Sequence, residues 1–283
     1  MKKDPFIVTI SGDPLSGKTS AINALVEKYQ EEGYFLGGRP EGKCIIRLAT
    51  GQVFRDMAED IGIGFQALGD FAKTPGNTMR GLKEISTDTS FFDSLNEDDF
   101  DKSVDGYLDN YMLKRIEKVK NEYEGIEDVL IIVDSRMAGV LMKRDNIGHM
   151  GMRFTVNPRV AAERLVKDAK NRRSELSIDD ATEEEALELA FQSTVLRKKR
   201  ERERFIRTHS VDSTNEEENK KVDLQNLDNY SLVIDTSYTT IEREIEILYD
   251  CIEKAREGLK YEKYWYSAKP KSEQEESMEI DKF

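Results

Sequence analysis

Apolar and β-branched residues collect in five short runs, at 6–11, 44–49, 129–134, 152–156 and 232–235. Such runs suit strands buried on both faces rather than strands that alternate in and out of water. Between them apolar positions recur at helical spacing, most plainly at 21–31, 159–170 and 241–259. Strands alternating with helices predict an α/β domain with a five-stranded parallel sheet and helices on both faces. Sheets of this kind bind ligands beyond the carboxyl ends of their strands, so chemistry is expected just after residues 11, 49, 134 and 156.

Three stretches break this rhythm. Residues 72–96 hold Pro75, Gly76, Gly81 and many small polar side chains, and read as a partly irregular insertion. Residues 213–221, STNEEENKK, read as a polar, acidic loop. The end, 263–283, is charged and without period from Ser267 onward, and is predicted to be disordered.

A chain of 283 residues has room for one such domain with insertions. Its formal net charge of -13 argues against general binding to nucleic acid or an anionic membrane, because the long-range field repels phosphate. A phosphorylated ligand must therefore meet a local cluster of cations. Cys44 and Cys251 are too few and too far apart for a disulfide framework or a zinc site, and both sit in apolar patterns that suit buried thiols. The opening MKKDPFIVTI is too short in apolar residues for a signal peptide, and no later run reaches spanning length. The reducing cytoplasm is the expected location.

The sharpest local signal is GDPLSGKT, residues 12–19, which fits G-x-x-x-x-G-K-[ST] between a predicted strand and a predicted helix. In such a phosphate loop, or P-loop, the backbone of Gly12, Asp13, Pro14, Leu15, Ser16, Gly17, Lys18, Thr19 and Ser20 curls so that its N–H groups, which Pro14 lacks, face a nucleotide phosphate at a helix N-terminus. Lys18 then reaches the β- and γ-phosphates of ATP, and the Thr19 hydroxyl is the expected Mg²⁺ ligand. The loop alone does not fix the acceptor.

Further blocks follow the later strands: LATGQVFR at 48–55, DSRMAG at 134–139 and RKKRERERF at 197–205. In this order they resemble the cytidylate kinase family, and more closely its short archaeal-type and related bacterial members, over roughly residues 5–255. The resemblance implies a P-loop kinase domain over 1–262, with an acceptor-binding helical insertion at 50–125 and a lid with an arginine helix at 167–207. It implies ATP-dependent, Mg²⁺-assisted phosphoryl transfer to a nucleoside monophosphate, CMP or dCMP. Thr50 and Gly51 match the pair beside the acceptor, and Arg55 and Arg136 match the arginines on its phosphate, with Ser135 where the family has glycine. Arg197, Glu201 and Arg204 keep the spacing of the family's third block, a sugar-binding carboxylate between two phosphate-binding guanidiniums. Residues 223–237 resemble the family's last strand.

Steps of four and three residues put Arg197, Glu201 and Arg204 on one helical face. Lys18, Arg136, Arg197 and Arg204 are the candidate catalytic cations, since bringing two polyanions together is chiefly a matter of charge neutralisation and alignment. Asp134 is placed to reach Lys18 or a magnesium-bound water, or else to cap the following helix. Some bacterial members of that family carry an amino-group acceptor where Met137 stands; the resemblance implies that it comes here from the acceptor-binding insertion, where Asp105, with Asp101 on the same predicted helix, is the base-reading candidate. Arg172 and Arg173 read either as lid residues or as a surface pair, and His149 and His209 as structural. Kinases of other small acceptors, and a nucleotide-binding regulatory protein with little turnover, share the phosphate loop. Monomer and homodimer both remain open.

Overall fold

In the computed structural model, which describes residues 4–37, 42–74, 76–172 and 182–266, each of the five apolar runs forms a strand. Two further strands join them, so the sheet has seven strands where the sequence predicted five. In chain order they are β1 (Phe6–Gly12), β2 (Phe35–Leu36), β3 (Cys44–Ala49), β4 (Val129–Asp134), β5 (Met150–Thr155), β6 (Leu232–Asp235) and β7 (Tyr264–Tyr266). They lie side by side as β2-β3-β4-β1-β5-β6-β7, every pair parallel. The two missed strands are both edges. β2 has two exposed residues and no pattern to read. β7 lies in the stretch assigned to the tail, yet Val233, Ile234 and Asp235 of β6 pair with Tyr264, Trp265 and Tyr266. Residues 267–283, the rest of that expected tail, lie outside the described residues.

The helices are α1 (Lys18–Glu31), α2 (Thr50–Asp60), α3 (Phe65–Phe71), α4 (Met79–Ile85), α5 (Glu97–Phe100), α6 (Val104–Glu122), α7 (Ala138–Asp145), α8 (Pro158–Arg172), α9 (Glu183–His209), α10 (Glu216–Val222) and α11 (Ile241–Arg256). Alternation along the strands divides the interior into two cores. Val129, Ile131 and Val133 of β4 face α2, α3, α4 and α6 through Val53, Leu68, Met79 and Met112. Leu130 and Ile132 face α1 and α11 through Ile22, Leu25, Leu248 and Ile252. The insertion after β3 is thus anchored on the sheet itself. α8 and α9 pack through small residues, Ala162 against Ala186 and Ala190, with Val166 beside them.

The expected acidic loop at 213–221 is mostly helix. Asn215 caps α10 by accepting from the Glu217 and Glu218 amides; acids fill the first turn and Lys220 and Lys221 the last. That order complements the helix dipole, and so favours the helix over a loop. Both cysteines are buried, and neither is in a disulfide. Among the described residues no helix is long and apolar enough to cross a membrane.

β1 lies at the centre of the sheet. The chain leaves it towards β2, β3 and β4 on one side and then crosses to β5, β6 and β7 on the other. Loops therefore diverge at its carboxyl end, where such sheets leave a crevice.

Candidate active site

The glycine loop fills that crevice, running from the end of β1 into α1. Gly12 is required by close approach: a Cβ there would stand 2.9 Å from Ser16 Oγ and 3.0 Å from Phe154 Cβ. Gly17, the N-cap of α1, is required by its left-handed backbone, φ 78°; Leu15 adopts φ 63° without being glycine. Among the described residues no side chain caps α1. Its first amides are left facing outward with the helix dipole behind them, the arrangement that binds an anion. Ser16 Oγ is buried without a partner among the described residues, and Thr19 is exposed on the first turn.

The loop is held from behind by its carbonyls and one carboxylate. Arg164 of α8 donates to Leu15 O at 3.0 Å, and the Thr236 hydroxyl to Ser16 O at 2.9 Å. With its carbonyls tied back, the loop keeps its amides forward. Asp13 is buried between two cations, Arg153 of β5 on Oδ1 and Lys198 of α9 at 3.1 Å from Oδ2. Burial works against the Arg153 charge, but Asp13 and Tyr230 more than offset it and the pKa is raised. Glu244 on α11 is also buried close by, its Oε2 3.9 Å from where a Cβ on Gly17 would sit. Desolvation pushes its carboxyl up to about 7, although Arg164 opposes the shift.

Lys18 is ion-paired to Asp134 Oδ1 at the end of β4. The other carboxylate oxygen accepts from Arg47 Nη2 at 2.9 Å, and Arg47 Nη1 reaches Asn23 Oδ1 at 2.6 Å. Asp134 thus joins the glycine-loop lysine to β3 and, through Arg47, to Asn23 of α1, in place of capping the next helix.

Beside this lies a cavity of about 1100 Å³ whose lining includes Asp105, Arg136, Arg197, Glu201 and Arg204. Five of the predicted residues thus meet in one place. Glu201 Oε1 accepts from Arg136 and, at 3.1 Å, from Arg197 Nε; Arg204 Nη1 is 2.8 Å from Asp105 Oδ2. Burial lowers the Arg136 pKa, with Glu201 opposing, and raises that of Asp105, with Arg204 opposing and Asp109 adding. Charge is therefore concentrated in a partly desolvated space, where an incoming anion is most effective at replacing the internal pairs.

Other predicted residues stand apart from this cavity. Thr50, Gly51 and Arg55 form the first turns of α2; Arg55 is exposed and donates to Gln52 Oε1 at 2.9 Å. Asp101 and Asp105 do not share a helix. Ser103 caps α6 between them, and Asp101 pairs with Arg80 at 3.2 Å. His209 is structural in its contacts, its Nε2 2.8 Å from Asp109 Oδ2. Arg173 lies outside the described residues.

Arg47, Arg153, Arg164, Lys198 and Glu244 were not singled out in the sequence. One signal was available: Arg47 and Arg153 each interrupt an otherwise apolar strand, CIIRLA and MGMRFT. A charge in such a strand needs a buried partner.

Among the described residues no group of three or more His, Cys, Asp and Glu side chains could hold a metal by itself. Mg²⁺ bound with a nucleotide asks for less, since it keeps waters and takes most of its ligands from phosphate oxygens. The exposed Thr19 hydroxyl beside the open α1 amides fits that demand.

No family model matches the chain, and no curated protein matches it. Solved structures do. The crystal structure of an uncharacterized protein from Eubacterium ventriosum superposes with TM-score 0.46 and 10% identity, covering 88% of this chain and 98% of that one. Shikimate kinase from Bacteroides thetaiotaomicron superposes with TM-score 0.41 and 13% identity, again over 88% of this chain and 98% of the other. Likenesses at this level leave the substrate to the site's own geometry.

Proposed function

We propose that the chain is a P-loop phosphotransferase that uses ATP and Mg²⁺ to phosphorylate a nucleoside monophosphate, CMP or dCMP before others. The supporting observation is the adjacency of two anion sites. The glycine loop, with Lys18, stands next to a basic cavity, and α9 links them: Lys198 pairs with Asp13 while Arg197 beside it lines the cavity.

In this proposal the α1 amides and Lys18 hold the donor phosphates, which draw Lys18 off Asp134 and leave Asp134 with Arg47. Thr19 would hold Mg²⁺ bound with the nucleotide, and that ion would supply further positive charge. Arg136, Arg197 and Arg204 hold the acceptor phosphate and the γ-phosphoryl, with Arg55 and the Thr50–Gly51 turn as a second contact on the acceptor. An acceptor phosphate oxygen forms a bond to the γ-phosphorus, the bond to the β–γ bridging oxygen breaks, and ADP leaves. The attacking oxygen is already anionic, so no general base is needed. Planar guanidiniums suit the task because they fork onto phosphate oxygens and stay charged. Glu201 then faces the sugar, and Asp105 the base.

Cytosine presents an amino donor where uracil presents a carbonyl, and a carboxylate at Asp105 accepts from the first and repels the second. An unpaired buried polar group costs about 1–3 kcal/mol, which is roughly ten- to a hundredfold between CMP and UMP. The test is ADP release from Mg-ATP against a panel of nucleoside monophosphates. CMP and dCMP should lead, and Asp105→Asn should narrow the gap to UMP. UMP or AMP turned over as well as CMP overturns the base assignment, and no ADP release with any monophosphate overturns the kinase.

A further inference from the structure

Arg197, Arg200, Arg204 and Arg207 of α9 follow steps of three, four and three, which put them on one face of the helix. All four line the same cavity. Two are engaged within the protein, Arg197 by Glu201 and Arg204 by Asp105. Arg200 and Arg207 are exposed, and among the described residues neither has a carboxylate within ion-pair distance.

This row of guanidiniums has a direction. Lys198 marks its end at the glycine loop, by the pair with Asp13. Arg207 lies nine residues further along, about 13 Å away at 1.5 Å per residue. At that far end Thr208 lies over the start of α6: a Cβ on Gly106 would meet its Cγ2 at 3.4 Å. The capped amino end of α6 thus lies near Arg207: Ser103 Oγ accepts from the Gly106 amide, the Val104 amide donates to Asn77 O, and Lys73 and Asn77 line the same cavity.

A single acceptor phosphate does not account for this. Arg136, Arg197 and Arg200 already lie towards the loop, where the reacting phosphates must be. Nor does a chain with net charge -13 need free cations there for solubility.

We infer that the acceptor carries a second phosphate on its sugar, seated on Arg207 at the end of the arginine row away from the glycine loop, so that the preferred acceptor is a nucleoside bisphosphate. The inference rests on the phosphotransfer reading above and narrows its substrate class. The reaction is otherwise unaltered: the 5′-phosphate oxygen takes the γ-phosphoryl, ADP leaves, and the second phosphate only positions.

The test compares a nucleoside 3′,5′-bisphosphate with the 5′-monophosphate of the same base, by kcat/KM and by calorimetric binding without ATP. The bisphosphate should be preferred by about tenfold to a hundredfold, the range set by one charged hydrogen-bonding partner. Arg207→Ala should bring that ratio towards one, and Arg207→Lys should keep part of it. Equal use of the two acceptors by the unmodified protein, or an unchanged ratio in Arg207→Ala, overturns the second seat while leaving the kinase standing. Arg207-dependent tighter binding of the bisphosphate with no ADP release supports the seat and removes the kinase. A 5′-phosphorylated dinucleotide that binds more tightly than the bisphosphate overturns the small-molecule assignment.

Discussion

Lys198 Nζ stands 3.1 Å from Asp13 Oδ2, so the long basic helix grips the glycine loop through one of the loop's own carboxylates. The other Asp13 oxygen is held by Arg153, which is almost wholly buried. The two contacts are unequal. Asp13→Ala strands the Arg153 charge and should cost about 3–5 kcal/mol in a denaturant titration. Lys198 is about one-third exposed, so Lys198→Ala should cost about 0–1 kcal/mol. Equal losses in the two variants would show that Arg153 does not depend on Asp13.

Lys18→Ala should lower the rate of phosphoryl transfer by about 10²–10³ or more, the usual loss for a group that stabilises developing charge. Folding should survive, because Asp134 keeps Arg47 at 2.9 Å. Single-turnover kinetics with Mg-ATP separate the chemical step from binding, and near-normal transfer in this variant would remove Lys18 from the site.

Arg136 and Arg55 are expected to differ. Arg136 lines the cavity and pairs with Glu201, whereas Arg55 is exposed on α2 outside it. Arg136→Ala should raise the acceptor KM and lower kcat, about tenfold to a hundredfold together, with ATP affinity retained. Arg55→Ala should cost only a few-fold on the same acceptor, about that of an exposed charge pair. A loss from Arg55→Ala that matched Arg136→Ala would place α2 directly over the acceptor phosphate.

Glu244 gives stability a pH dependence of known sign. Its carboxyl is raised from 4.5 to about 7 in the folded chain, chiefly by burial. The folded state thus favours the protonated form. Its contribution is fully present below about 4.5 and is lost as pH rises through about 7. Glu244→Gln should flatten the thermal stability profile across that window and raise Tm at pH 8, by about 2–4 °C for each kcal/mol recovered. An equally steep profile in the variant would assign the slope to another group.

Much of the sheet could be read from the chain because its five inner strands are mostly apolar runs, broken only by single polar residues such as Arg47 and Arg153. The edges carried no such mark. Phe35–Leu36 is too short to show a period, and Tyr264–Tyr266 follows a charged stretch. Along one strand or helix, spacing reveals shared faces, as it does for Arg197, Glu201 and Arg204. Contacts between elements were not visible in this way. Asp13 and Arg153 are 140 residues apart and meet only because β1 pairs with β5. Asp101 and Asp105 illustrate the converse: their i, i+4 spacing suggested a shared helix, but Ser103 starts a new one between them.

The seventh strand also gives the molecule an intrinsic optical probe. Trp265 is the only tryptophan in the chain; it packs against the core shared by α1 and α11, with the Arg243 guanidinium 5.0 Å from its ring. Its emission therefore comes from one known place, the junction of an edge strand with the helix that carries Glu244. Undocking of that strand would move the indole from a partly buried site into water and shift its emission to the red. Far-ultraviolet circular dichroism, dominated by the helices, would hardly change. A fluorescence transition that precedes the dichroism transition in a denaturant titration would thus time the release of the edge strand separately from collapse of the core.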